Sequence, residues 1–182
     1  MSKMKRRLKI ILGSTLILFF GLFILSAGVY VYYPQTFYRG ITRVTLKVLP
    51  SKSYETEYGV HPYLHTKIEK VLEEARAEGI DLRIVEGFRD PETQQKYYDQ
   101  GRINKGGIIT YAPPGLSYHN HGWAVDVCEY VNGQPKWDSE HWDRIGAIGK
   151  KHGLVWGGDW KRLVDKPHFQ LTNYDIIRRV VF

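Results

Sequence analysis

Residues 117–135 read SYHNHGWAVDVCEYVNGQP. The middle, WAVDVCEY, alternates in the manner of a half-buried strand, and the Asn-Gly pair after it is a hairpin turn that leads toward a short return strand. An antiparallel pair is therefore expected here. Just ahead of the strand stand His119 and His121, and within it stands Asp126, all of them groups able to ligate a metal. An odd number of positions separates His119 from Asp126, so in one continuous strand they would face opposite ways; Gly122 is where the chain can turn to bring them together.

Working outward toward the N-terminus, HPYLHTKIEKVLEEARAEG carries Leu64, Ile68, Val71, Leu72 and Ala75 on one helical face, with Pro62 near its start and Gly79 after its end. LRIVEGF reads as a short strand. Asp90 and Pro91 then supply an N-cap and first residue for the helix PETQQKYYDQ, which Gly101 stops. The Gly/Pro-rich stretch RINKGGIITYAPPGLSYHN is a loop. On the C-terminal side, DSEHWDRIGAIGKKHG is expected to be a helix capped by Asp138 or Ser139 and ended by Gly153, followed by LVW, the loop GGDWKRLVD and PHFQL. Helices and short strands without regular βαβ spacing define an α+β fold with a small, mainly antiparallel sheet flanked by helices.

The full sequence of 182 residues has room for one domain and an extension, with 43% hydrophobic and 25% charged residues. Its formal charge of +7 is concentrated at one end: setting aside Lys3, Lys5, Arg6, Arg7 and Lys9 leaves 21 basic against 19 acidic groups, or +2. A nearly neutral body does not support nucleic-acid binding. Residues 10–31, IILGSTLILFFGLFILSAGVYV, hold no charge over a length that at ~1.5 Å per residue matches a hydrocarbon core of ~30 Å. This run is expected to be a transmembrane anchor, a cleaved signal peptide processed near Ser26, Ala27 and Gly28 being the rival reading. The basic cluster keeps residues 1–9 in the cytoplasm, so everything after the span faces outward. Residues 32–59 read as a membrane-proximal connector without clear helical spacing, and residues 60–182 as the functional domain. Cys128 is the single cysteine, which excludes an intrachain disulfide and a Cys-rich zinc site.

Any metal must therefore be held by His and carboxylate, and the candidates are His119, His121, Asp126, Asp159, Asp165 and His168. Catalytic zinc commonly takes three such ligands and leaves the fourth position to water. Pro167 excludes a helical zincin arrangement around His168, and a bend is required if Asp165 and His168 are to serve one site.

Three ordered segments carry a family resemblance. SYHNHGWAVD resembles the S-x-H-x-x-G-x-A-x-D motif of zinc peptidases that include bacterial D-alanyl-D-alanine carboxypeptidases, vancomycin-resistance dipeptidases and phage L-alanyl-D-glutamate endopeptidases. EGFRDPETQQKYYDQGR is similar to the family's G-(Y/F)-R-x(4)-Q-x(3)-Y-x-Q-G-R segment, and GLVWGGDWKRLVDKPHFQL to the W-G-G-D-W…D-x-P-H-F ending of its endopeptidase branch. The resemblance covers about residues 60–171 and implies a hedgehog/D-Ala-D-Ala peptidase-like fold. It further implies one zinc ion on His119, Asp126 and His168, Asp165 as general base, and Arg89 as the group that stabilises the oxyanion. Gln94, Ser117, Trp156 and Asp159 are expected around the substrate. His121 falls on a variable motif position, and Cys128 reads as a small buried hydrophobe.

The expectation is a monomeric, membrane-anchored zinc endopeptidase facing the cell wall and cutting peptidoglycan stem peptides at L-alanyl-D-glutamate. Its rivals are a D,D- or L,D-carboxypeptidase on the same substrate class and a non-catalytic wall-binding module.

Overall fold

A computed structural model of the chain describes residues 25–29, 31 and 33–181. The basic tail and most of the apolar run 10–31 lie outside the described residues, and among those described no helix is long and apolar enough to cross a membrane. The chain divides into two units, residues 1–41 and 42–182. In the first, residues 25–29 and 34–41 are helical.

Residues 32–59, which show no clear helical spacing in sequence, contain helix α1 (Pro34–Val48). Pro34 occupies its first position, and Thr42, Thr45 and Leu46 are its buried residues. Two of those three are threonines, so the buried stripe looks polar and β-branched in sequence and the helical period is hidden.

The second unit is built on an antiparallel sheet of order β1-β2-β5-β4, with β3 paired to the far end of β2. Its strands are β1 (Leu82–Glu86), β2 (Ala124–Val131), β3 (Gln134–Lys136), β4 (Val155–Trp156) and β5 (His168–Gln170). Asn132 and Gly133 both take positive φ, 51° and 76°, giving the tight hairpin turn between β2 and β3. Helices α2 (Pro62–Ala77) and α4 (Trp142–Lys151) bury Leu64, Ile68, Val71, Ile145 and Ile148 in one core with Leu82, Ile84, Val125, Val127 and Phe169 of the sheet. Each such aliphatic side chain contributes roughly 1.5–3 kcal/mol when fully buried. Alternation then settles the opposite face: Asp126 lies between Val125 and Val127, and His168 precedes Phe169.

Helix α3 (Pro91–Asp99) starts as the sequence indicates, with the Asp90 carboxylate accepting from the Thr93 amide at 2.8 Å. Helix α4 starts later than expected. Ser139 does not cap it: its hydroxyl donates to the buried Glu129 carboxylate and accepts from the His141 amide at 2.9 Å. The helix begins at Trp142, after that polar cluster. A short helix α5 (Asn173–Ile176), capped by Thr172, runs into a π-helical turn over Ile177–Val181.

Helix α4 approaches the sheet through glycine. A Cβ on Gly149 would stand 2.0 Å from the Phe169 ring. Gly149→Ala should therefore destabilise the fold by about 1–3 kcal/mol through overpacking, against the ~1 kcal/mol gain alanine brings to an exposed helix. The midpoint of urea unfolding measures which effect wins.

Candidate metal centre

The sheet brings the site together through its register. Asp126 on β2 is directly opposite His168 on β5 and, on its other side, opposite Glu86 on β1. Glu86 reaches that face because β1 carries an irregularity between Ile84 and Glu86. Ile84 points into the core opposite Val127; in a regular strand Glu86, two residues on, would follow it there. His119 comes from a single 3-10 turn, Tyr118–His121, that leads into β2. Gly122 makes the bend at φ +63°, where a Cβ would also meet the Gly59 carbonyl oxygen at 2.9 Å.

Three donor atoms form a small triangle. His119 Nε2 lies 3.2 Å from His168 Nδ1, His168 Nδ1 lies 3.2 Å from Asp126 Oδ1, and His119 Nε2 lies 3.4 Å from the same oxygen. Ligands on a tetrahedral zinc at ~2.0–2.1 Å are about 3.3–3.4 Å apart, so the triangle is one face of such a tetrahedron. The outer ring nitrogens fix the tautomers: His119 Nδ1 donates to the Gly87 carbonyl at 2.8 Å, and His168 Nε2 to Gln170 Oε1 at 3.0 Å. Both inward nitrogens then present lone pairs to each other and to a carboxylate, an arrangement that a shared cation reconciles. The residues fit a metal ion.

Charge around the triangle is balanced by Arg89. Its Nε donates to Glu86 at 2.7 Å, its Nη1 to Gln94 at 2.9 Å, and its Nη2 to both Glu86 and Asp126, the latter at 3.4 Å. Tyr97 lies under the guanidinium, 4.5 Å from ring centre to Cζ. Burial opposes the Arg89 charge, but Glu86 and Asp126 outweigh it and hold its pKa above the usual value. Burial likewise opposes the Asp126 carboxylate, and His119 and His168 outweigh it, keeping the group well below the ordinary carboxylate range. For His168, burial is overcome by Asp126 and Asp165, which raise its pKa.

Asp165 faces the same cavity as the triangle, a cleft of about 540 Å³ that also includes Arg89, Ser117 and Trp160. The bend needed before His168 is present: the His168 amide donates to the Asp165 carbonyl at 3.2 Å, and the Asp165 amide to Gly157 at 3.1 Å. Burial pushes the Asp165 carboxyl up and outweighs the opposing pull of His168.

Three residues expected around the substrate lie elsewhere. Gln94 is fully buried, held between Arg89 and the Ala112 carbonyl at 2.7 Å, so it positions the guanidinium from behind. Trp156 is buried too, its indole donating to the Lys166 carbonyl at 2.7 Å, and forms part of the core against α4. Asp159 pairs with Lys150 at 2.9 Å on the surface. Ser117 does line the cavity. His121 is outside the triangle, stacked on Trp123 at 4.7 Å and bonded to the Gly115 carbonyl at 2.9 Å. Cys128 is buried with its thiol directed to the Glu129 carbonyl at 3.3 Å. Sequence reasoning missed Gln170 and did not place Glu86, readable only as a partner for Arg89, at the metal centre; Trp160, readable as a core or cleft-wall residue, lines the cleft with its ring 4.9 Å from that of His168. Gln170 had a signal, since it is two residues beyond His168 on a strand and must share its face.

An antiparallel sheet with Asp126 and His168 on its open face, His119 on the turn that enters it and helices behind matches the D-Ala-D-Ala peptidase fold. Residues 111–171 match the sequence family described as D-alanyl-D-alanine carboxypeptidase. The chain is 39% identical to the peptidoglycan L-alanyl-D-glutamate endopeptidase CwlK of Bacillus subtilis (strain 168), over 62% of this chain and 73% of that protein. It is 32% identical to the L-alanyl-D-glutamate peptidase of Listeria phage A118, over 57% of this chain and about a third (34%) of the phage protein. Among solved structures, the L-Ala D-Glu endopeptidase ChiX of Serratia marcescens aligns with a TM-score of 0.51 at 28% identity, covering 70% of this chain and 91% of ChiX. VanYB in complex with D-alanine-D-alanine aligns at 0.54 with 16% identity, over 73% of this chain and 86% of VanYB, a likeness of fold. The chain belongs to this family of zinc-dependent metallopeptidases, which joins D-alanyl-D-alanine carboxypeptidases and L-alanyl-D-glutamate endopeptidases.

Gln170 orients His168 from outside the triangle. Gln170→Leu should weaken zinc binding by about 10–100-fold with the fold intact. Competition against a chelating dye, alongside far-UV circular dichroism, measures both.

Proposed function

We propose that the chain is a zinc-dependent peptidoglycan endopeptidase that hydrolyses the L-alanyl-D-glutamate bond of wall stem peptides. The observation that carries this reading is the donor triangle of His119, Asp126 and His168 in a chain 39% identical to an endopeptidase of that specificity. The W-G-G-D-W…D-x-P-H-F ending of residues 156–169 agrees with it.

His119, Asp126 and His168 would hold the ion, which would supply acidification of water toward a pKa near 7 and polarisation of the scissile carbonyl. Asp165 takes the proton of the attacking water and returns it to the departing amine. Its burial raises its basicity toward that task. Arg89 supplies fixed positive charge where the carbonyl oxygen becomes negative, its guanidinium kept in place by Glu86 and Gln94. Ser117 offers a hydroxyl to the bound peptide from the cavity wall. In this reading the chain acts as a monomer, residues 10–31 anchor it, residues 1–9 stay in the cytoplasm, and residues 60–182 face the wall that holds the substrate.

Mass spectrometry of wall digests made with and without chelator tests the assignment. New L-alanine ends that vanish with chelator and return with zinc are expected; release of free D-alanine would instead make the chain a carboxypeptidase, the reading favoured by the description of the matched family. Asp165→Ala should bind zinc as tightly as the parent while losing activity by roughly a hundredfold or more. Unchanged hydrolysis would remove Asp165 as the base. In cells, the full chain should remain with membranes after alkaline carbonate washing, and a chain lacking residues 1–31 should not.

A further inference from the structure

The cavity contains a cation that hydrolysis does not use. Arg162 lines it from the loop that follows the 3-10 turn Gly157–Asp159, and its guanidinium lies 4.5 Å over the ring of Tyr111, another lining residue. Among the described residues no carboxylate pairs with it. The other arginines nearby are committed: Arg89 to Glu86, Gln94 and Asp126, and Arg102 to the backbone carbonyls of Tyr98 and Thr110. An exposed arginine laid on an aromatic face keeps its in-plane N–H groups available for a planar anion.

The location of Arg162 points to the anion it would meet. It stands three residues before Asp165 on the same stretch of chain, and both face the cavity. Asp165 hands its proton to the departing amine, so the leaving half of the substrate lies along this wall. That amine belongs to a glutamyl residue. Within a peptide, one of its two carboxyl groups forms the onward bond and the other stays free as a carboxylate, carried on the same short skeleton as the amine. The remainder of the site offers little welcome to that charge, since Glu86, Asp126 and Asp165 all line it.

We propose that Arg162, braced on Tyr111, binds the free carboxylate of the glutamyl residue on the leaving side and so makes the enzyme distinguish an acidic glutamyl residue from its neutral amide. The assignment rests on the peptidase reading above. Arg162 is a specificity residue in it, with no part in moving the proton.

The test compares two synthetic stem peptides, identical except that one keeps this carboxylate and the other carries it as a primary amide. They are given to the full zinc-loaded chain and to its Arg162→Gln and Arg162→Lys forms. The parent should favour the acid in kcat/KM. Arg162→Gln should lose about tenfold on the acid and almost nothing on the amide, Arg162→Lys should keep part of the preference, and the thermal midpoint should hold, as befits one exposed charge-assisted contact. An equal fall on both peptides would make Arg162 a brace between loops and overturn the proposal, as would no change on either. If the parent cuts neither peptide at this bond, the peptidase reading itself fails, and calorimetry on the full-length Asp165→Ala chain still decides the matter. Tighter binding of the acid, abolished by adding Arg162→Gln, sustains the role of Arg162; equal binding of acid and amide ends it.

Discussion

The pairing of β2 with β5 is the constraint on which the centre depends. Because Asp126 and His168 are register partners, two of the three donors are brought to adjacent positions by backbone hydrogen bonds that would form whatever the side chains were. The same pairing puts Val125 against Phe169, so the apolar core and the polar face are two consequences of one alignment. A slip of β5 by one residue would send the His168 imidazole into the core and Phe169 out of it, leaving Asp126 without its partner. The stability of the apolar face thus holds the chemistry in register.

Around that pair, the protein solves a charge problem before any metal arrives. Asp126 is drawn from water beside Glu86 and near Asp165, and three carboxylates in one cleft repel one another. Arg89 lies between two of them, flat on Tyr97 and fixed by Gln94 behind it. Buried charges are tolerated when every partner is hydrogen-bonded, which is the condition met here. Asp165 is the carboxylate outside this network, and it is the one whose basicity burial raises.

The sequence was most legible where one local pattern sufficed. The alternation of 123–130, the Asn-Gly turn, the apolar stripe of 64–75 and the Asp90-Pro91 start all follow from short-range rules. His119, Asp126 and His168 could be nominated but not joined, since spacing alone left His121, Asp159 and Asp165 equally eligible; the family motif made the choice and the triangle agrees with it. What stayed hidden required long-range knowledge. Gln94 sits on a motif position and looks like a substrate contact, yet its role is fixed by Arg89 and Ala112, neighbours known only after folding. Glu86 ends a strand whose alternation assigns it to the core, and only the irregularity after Ile84 reverses that. Helix α1 hid behind threonines whose burial their composition does not announce.

That irregularity in β1 has an arithmetic consequence. Strand side chains occupy two faces and no third, and Glu86, two residues after Ile84, would by regular alternation share its side; the irregularity takes up Val85 as an uncounted step and so flips a carboxylate from oil to water. Forcing this segment into regular alternation, with Val85 opposite Asp126 and Glu86 opposite Val125, would leave every chemical group of the cleft in the chain while delivering Glu86 into the apolar layer and leaving Arg89 without its main counter-charge. The break in alternation is therefore as necessary to the cleft as any charged group in it, because it decides on which side of the sheet that charge is spent.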